Sequence, residues 1–325
     1  MTRVAPSQVT TAAILGMGSV GAGWAALMLA KGIDLRAFDP MPEAEARAKR
    51  LITGSWPSLN ALGKSALTDP PFGGLQFFET AEEAAAGADV IIEAVPEDLA
   101  LKGPVIAAAE TAGPEVPILS SAGGIPPSRL QAGCTNPDRV LVVHPFNPSH
   151  LIPLVEIVPG AATSAPIVAW ARGFAEHLGK KPITLNAELP GHMVNRLQFA
   201  LVREAVACLV NGIATPEDID AAVRYGLAPR WLLQGALHTV GMAGGPGGMR
   251  GILDHAGPAM ERWWAPSDGV AIDLATKEKL VAAAAKLNQG AAFADWAAWR
   301  DSVLVEVLAG QSEADALRPG GDAHV

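Results

Sequence analysis

The sequence predicts a doubly wound α/β sheet followed by an all-α domain, and three observations carry that reading. Short apolar runs alternate with alanine-rich stretches through the first half, the rhythm of strands and helices in a parallel sheet. A cluster of glycines sits between the first two of those runs. Beyond residue 190 long helical stretches take over, with no strand signal of comparable quality.

The elements follow in order. Ala12–Leu15 reads as the first strand, and Ala12 to Ala30 as a whole carries no charge, close to the roughly 20 residues that cross a bilayer. Gly16, Gly18, Gly21 and Gly23 crowd that run, and Ile33 to Phe38 then reads as a second short strand, so strand, tight turn, helix and strand explain it better than a membrane span or signal peptide. Val90–Ala94, Ile118–Ser120 and Val140–Val143 continue the strand series. Between them Thr80 and Glu83 form a capping-box pattern ahead of Ala84, Ala85 and Ala86, and Gly87 offers a stop. The pattern changes at Ala187 to Pro190, which sets the expected domains at 1–188 and 189–325. In the second, Val194 to Val210 is a long apolar helix, Thr215 and Pro216 read as N-cap and first helical residue, and Lys277 to Leu287 continues the theme. Arg318 to Val325 reads as a frayed tail.

Composition narrows the function classes. A chain of 325 residues, 50 % hydrophobic, has material for about two domains with real cores. Only 18 % of residues are charged and the net charge is −9, so nucleic acid is not an expected partner. Cys134 and Cys208 are the two cysteines, too few for a disulfide framework or a standard zinc site; a cytoplasmic protein without a metal is expected. Tyr225 is the single tyrosine and Pro229 stands where a Tyr-x-x-x-Lys pair needs its lysine, which excludes that dehydrogenase chemistry.

Gly16-Met17-Gly18-Ser19-Val20-Gly21 is G-x-G-x-x-G between a strand and a helix. Gly16 permits the tight turn, Gly18 lets the backbone approach a pyrophosphate, Gly21 allows close helix–strand packing, and the helix N-terminus favours the anion. Asp39 follows at the end of the second strand, eighteen residues after Gly21, where a carboxylate bonds ribose hydroxyls and repels a 2′-phosphate. The combination predicts a Rossmann-type domain with NAD as cofactor, while Arg36, Arg47 and Arg50 keep an NADP reading open.

His144 stands at the end of an apolar strand, where such folds place ligand-facing residues. Glu156, twelve residues on and past a Pro-containing turn, is one carboxylate in the apolar run Leu154–Val158 and needs a partner to stay ionised. On spacing alone two readings stand: a histidine base oriented by a buried carboxylate, suited to taking an alcohol proton as hydride leaves its carbon, or a structural ion pair in a core. His150, His177, His192, His238, His255 and His324 have no comparable setting.

Longer motifs add a resemblance. Ala94 to Lys102, His144 to Pro148 with Ile152 to Glu156, and Gly191 to Gln198 make the chain similar, over nearly its whole length, to the 3-hydroxyacyl-CoA dehydrogenase superfamily. Within it these motifs are closest to the L-gulonate 3-dehydrogenase (lambda-crystallin) branch, and Gly226 to Trp231 and Gly244 to Arg250 are also similar to carnitine dehydrogenase. The resemblance implies that His144 and Glu156 are the catalytic dyad and that Asn195 donates to the substrate oxygen; read alone, Asn195 is equally a cap for the helix after Pro190 and Gly191. It implies that Glu97, Lys102 and Ser121 line the cofactor, where the bare residues Glu97 and Lys102 read as a solvated helix start. One departure stands out: Gly123 occupies the place of a family serine that touches the substrate oxygen, leaving Ser121 beside it as a partial substitute.

The substrate pocket is thus expected to comprise Ser121, Gly123, Asn195, Arg230 and Trp231. Arg230 is either a carboxylate clamp or a surface arginine beside a core tryptophan. The expected activity is NAD-dependent oxidation of a small L-3-hydroxy acid, as in L-gulonate 3-dehydrogenase, by a homodimer. Carnitine and 3-hydroxyacyl-CoA oxidation are the alternatives. Trp231, Trp263 and Trp264 invite a cation–π cage for a trimethylammonium group, whereas carnitine dehydrogenases tend to carry aspartate in place of Asn195. A non-catalytic, crystallin-like NAD-binding protein is the reading of another class.

Overall fold

The computed structural model describes residues 3–264 and 271–317. The chain divides into two compact units, one up to Arg196 and one from Leu197. The expected tail, Arg318 to Val325 with His324, lies outside the described residues.

The first unit holds β1 (Thr11–Leu15), α1 (Ser19–Ala30), β2 (Asp34–Phe38), α2 (Ala44–Ala61), β3 (Leu75–Phe77), α3 (Ala81–Ala85), β4 (Val90–Glu93), α4 (Leu99–Ala109), β5 (Ile118–Ser120), α5 (Pro127–Gln131), β6 (Val140–Pro145), β7 (Leu154–Pro159), α6 (Ala165–His177) and β8 (Lys181–Thr184). The strands form one eight-stranded sheet in the order β3-β2-β1-β4-β5-β6-β7-β8. Every pairing is parallel except β6 with β7. The order reverses between β1 and β4, and such a reversal opens a crevice at the carboxyl ends of the strands.

The charge-free run from Ala12 is explained by burial. Ala12 to Leu15 have no exposed surface, and α1 is buried from Gly21 to Leu29, so no face of that helix needs polar residues. Among the described residues no helix is long and apolar enough to cross a membrane. The Thr80 cap is present, its hydroxyl accepting from Glu83 N at 3.1 Å. Three strands lacked a sequence signal as strands: β3, with three residues, β7, read only as an apolar run, and β8.

α7 (His192–Val210) begins in the first unit and continues into the second, which also holds α8 (Pro216–Ala221), α9 (Ala228–Ala243), α10 (Gly248–Trp264), α11 (Leu274–Asn288) and α12 (Phe293–Ala316). The second unit shows no strand among its described residues. The expected cap of α8 is present, with Thr215 accepting from Asp218 N at 3.2 Å. We propose 1–188 and 189–325 as the domain limits, since the chain leaves the sheet at Thr184 and enters α7 at His192.

Candidate active site

At the crevice between β1 and β4 the glycines divide by what demands them. A Cβ on Gly16 would stand 2.7 Å from the Ala94 carbonyl, and one on Gly21 would overlap the Gly16 carbonyl oxygen. A Cβ on Gly18 would meet no atom within 4 Å. Gly18 is the N-cap of α1, whose first turn carries no acid, so bare backbone and the positive end of a helix face open space. At the end of β2, Asp39 accepts from Met17 N at 2.9 Å and Met41 N at 2.9 Å, and pairs with Arg47 at 3.2 Å. An open, anion-friendly turn and a fixed carboxylate beside it are what a dinucleotide requires, so the residues fit NAD. Arg36 is directed elsewhere: it donates to Glu83 O and Ala84 O and lies over the Phe78 ring.

Beneath the crevice lies an ion pair that sequence reasoning passed over. Glu93 at the end of β4 is fully buried and Lys102 is 1 % exposed. The ammonium donates to both Glu93 oxygens, at 2.9 and 3.1 Å, and to Val95 O at 2.9 Å, which uses all three of its protons. Ser120 also donates to Glu93. A solvated helix start is therefore the wrong description of Lys102. Ser121 accepts from Trp24 Nε1 at 3.1 Å. Glu97 accepts from the backbone N–H groups of Gly123, Gly124 and Ile125 at 3.1, 2.8 and 2.9 Å.

The antiparallel register places His144 directly opposite Glu156. Their side chains meet with His144 Nδ1 3.0 Å from Glu156 Oε2, the histidine 7 % exposed and the glutamate fully buried. The other carboxylate oxygen accepts from Met193 N at 3.0 Å and Val194 N at 2.9 Å, so Glu156 caps α7. Burial pushes the Glu156 carboxyl up, but the hydrogen bonds from His144 and Val194 N and the charge of His144 outweigh it and hold it below the ordinary carboxyl value. The turn between β6 and β7 is itself anchored. Lys180 donates to Ser149 O and to Ile152 O, and Gly23 lets α1 close on Ser149, whose Oγ a Cβ there would overlap.

Asn195 donates from Nδ2 to Gly123 O at 2.7 Å, so the helix-cap reading of this residue gives way; Glu156 takes that role. A Cβ built on Gly123 would stand 3.4 Å from His144 Nε2 and 3.7 Å from Asn195 Nδ2. His144 Nε2, the Asn195 amide and the open side of Gly123 thus converge on one point. The structure also corrects the reading of His192, which does have a special setting. It is fully buried, with Nε2 3.1 Å from Ala122 O and its ring 5.6 Å from that of His144, and burial lowers its pKa, favouring the neutral imidazole. Its side chain follows a backbone with φ of 48°, which no sequence pattern announced.

Arg230 and Trp231 lie in the second unit, at the start of α9, where Arg230 donates to Gly226 O at 3.0 Å. Trp263 and Trp264, at the end of α10, are 74 % and 71 % exposed.

The model of the 3-hydroxyacyl-CoA dehydrogenase NAD-binding domain matches residues 11–188, and that of the C-terminal domain matches residues 191–279. The chain belongs to the 3-hydroxyacyl-CoA dehydrogenase family. It is an NAD-dependent dehydrogenase, and the sheet-bearing residues 11–188 are its NAD-binding domain. The chain is 42 % identical to an L-carnitine dehydrogenase of Streptomyces coelicolor, over 93 % of its own length and 95 % of the relative's. It is 38 % identical to another of that name from Nocardiopsis dassonvillei, over 99 % and 98 % of the two chains. A solved 5-formyl-3-hydroxy-2-methylpyridine 4-carboxylic acid 5-dehydrogenase, described as an NAD+-dependent dismutase, superposes with a TM-score of 0.76 at 28 % identity, covering 94 % of this chain and 99 % of that one.

Proposed function

We propose that this member of the 3-hydroxyacyl-CoA dehydrogenase family oxidises the hydroxyl of a small, free L-3-hydroxy acid to the 3-keto acid, and runs the reverse reduction. The observation that carries the reading is the 3.0 Å His144–Glu156 pair with Nε2 facing the opening at Gly123 and the Asn195 amide. Gly16, Gly18, Ser19, Val20 and Gly21 hold the cofactor's pyrophosphate, Asp39 its ribose and Ser121 the nicotinamide end; Glu97 and Lys102, which the resemblance also sets along the cofactor, have their polar atoms engaged by the chain itself and line that end from behind. Bound NAD supplies the acceptor for the hydride that leaves C3.

The chain's own residues handle the proton. Glu156 takes the Nδ1–H of His144, which leaves the lone pair on Nε2 for the substrate hydroxyl. As the imidazolium forms, the ionised carboxylate supports its charge, and in the reverse direction the same nitrogen returns the proton. One Asn195 N–H is held by Gly123 O and the second is left for the substrate oxygen. Arg230 and Trp231 are retained as substrate contacts on the resemblance alone.

Residues 56–74 contain Lys64 as their only basic residue, poor support for a large phosphorylated carrier, which favours a free acid. L-gulonate is the acid favoured by the sequence motifs; the names of the curated relatives favour L-carnitine and make it the first to test. The same reading places the protein in the cytoplasm as a homodimer, in keeping with exposed Leu197, Phe199 and Leu237 on α7 and α9.

The test follows NADH absorbance with L-carnitine, L-gulonate, L-3-hydroxybutyrate and 3-hydroxybutyryl-CoA, for the wild type and His144→Ala. Turnover of a free acid, lost in the variant, is expected. Turnover of the CoA ester alone, or of none of the four, overturns the proposal.

A further inference from the structure

Glu97 does something that contact with a cofactor does not explain. Three consecutive backbone N–H groups, those of Gly123, Gly124 and Ile125, converge on its one carboxylate. Two adjacent glycines give this loop the largest conformational freedom a chain can have, and three unpaired donors would otherwise crowd one spot. The loop also carries more than itself. Gly123 O is the acceptor that orients the Asn195 amide, and Gly124 O accepts from Gly191 N at 3.0 Å, just ahead of the helix turn whose N–H groups hold Glu156. Lys102 Nζ stands 3.9 Å behind the Glu97 carboxylate and is itself fixed by Glu93.

We infer that Glu97 is a positioning residue of the reaction: its carboxylate clamps the Gly123–Ile125 loop so that the Gly123 carbonyl holds the Asn195 amide beside His144 Nε2. The catalytic part of this inference rests on the dehydrogenation proposed above. The clamp itself does not, because it is a property of the chain without substrate.

Glu97→Ala and Glu97→Gln in the full chain test it. Backbone amide exchange at residues 123–125, measured without substrate, is expected to rise at least about tenfold in the alanine variant. Saturating kcat, on whichever acid of the panel the wild type oxidises, falls about 10- to 100-fold, while the NADH dissociation constant moves less than about threefold. The Glu97 side chain is 44 % exposed, so the space it vacates is open to a small carboxylate. Sodium formate should therefore restore part of kcat, saturably, in Glu97→Ala and not in Glu97→Gln, whose side chain fills the space. A merely structural role gives no such rescue. Unchanged exchange in both variants overturns the clamp. Wild-type kcat with weakened NADH binding overturns it equally, as a simple cofactor contact would behave that way. Should Glu97→Ala fail to fold, Glu97→Gln reads the same exchange and kcat. Absence of turnover by the wild type counts against the proposed function alone, since exchange still decides the clamp.

Discussion

Gly21 and Gly123 both stand beside functional groups, yet a methyl on Gly21 would overlap the Gly16 carbonyl, whereas one on Gly123 would meet nothing nearer than 3.4 Å. Gly16, Gly21 and Gly23 are demanded by the protein's own packing. Gly123, whose φ lies outside the left-handed region, is demanded neither by packing nor by backbone conformation. The cofactor end is thus a rigid fit of backbone on backbone, made by residues near in sequence. The His144–Glu156 end, for which we propose the acid–base role, is assembled from four separate segments around Gly123.

The largest effect should separate the two ends cleanly. His144→Ala removes the proposed proton acceptor and is expected to lower kcat by about 10²–10⁴-fold while NADH binding, measured by fluorescence, stays near wild type. Glu156 keeps its hydrogen bonds from Met193 N and Val194 N in that variant, so its buried carboxylate is not left bare. A variant that lost NADH binding and kept its turnover would mean that the two ends had been assigned backwards.

Gly21→Ala attacks the other end. The added methyl forces α1 away from the turn at Gly16, and overpacking of this kind costs about 1–3 kcal/mol. A fall in melting temperature together with weakened NADH binding is expected; an unchanged melt would show that the loop has slack the close approach does not suggest.

These two ends were not equally legible in the sequence. The glycine turn, the strand after it and Asp39 all lie within a short stretch, so local spacing sufficed. The dyad was half legible: a carboxylate in the apolar run of β7 needed a partner, but only the β6–β7 register puts His144 opposite it. The same rule applied to Glu93 in β4 would have predicted a buried partner, and Lys102 is that partner. His192 and the Glu97 clamp left no local trace, because each depends on the Ala122–Ile125 loop arriving from elsewhere in the chain. β3 and β8 are short strands whose pairing, not their composition, makes them strands.

Glu156 offers a smaller, pH-dependent test. Its folded pKa lies below the ordinary 4.5, so the unfolded chain binds the proton more readily. The stabilisation is fully present above about 4.5 and is lost as pH falls through the folded value. Denaturant melts of wild type and Glu156→Gln at pH 7, 5 and 4 should give a stability gap that narrows toward the acid end. A gap independent of pH would mean that the carboxylate's charge contributes nothing and only its shape is used.

The smallest effect on stability belongs to Gly123→Ala, and it is the one that bears most directly on what the open side of Gly123 is for. The backbone there suits any L-residue and the methyl finds only ordinary contacts, so the loss of unfolded-state freedom should raise stability by about 0.4–1 kcal/mol. NADH binding should not change. What should change is the ranking of substrates, because the methyl borders the place proposed for the substrate oxygen, 3.4 Å from His144 Nε2 and 3.7 Å from Asn195 Nδ2, and narrows the space beside it. An acid that places a substituent beside Gly123 loses kcat/KM by about tenfold or more, as one misplaced methyl costs about 1–3 kcal/mol in a fitted pocket. A smaller acid such as L-3-hydroxybutyrate loses less. If all acids fell by the same factor, the glycine would be serving the geometry of the Asn195 amide, and substrate choice would have to reside elsewhere in the chain.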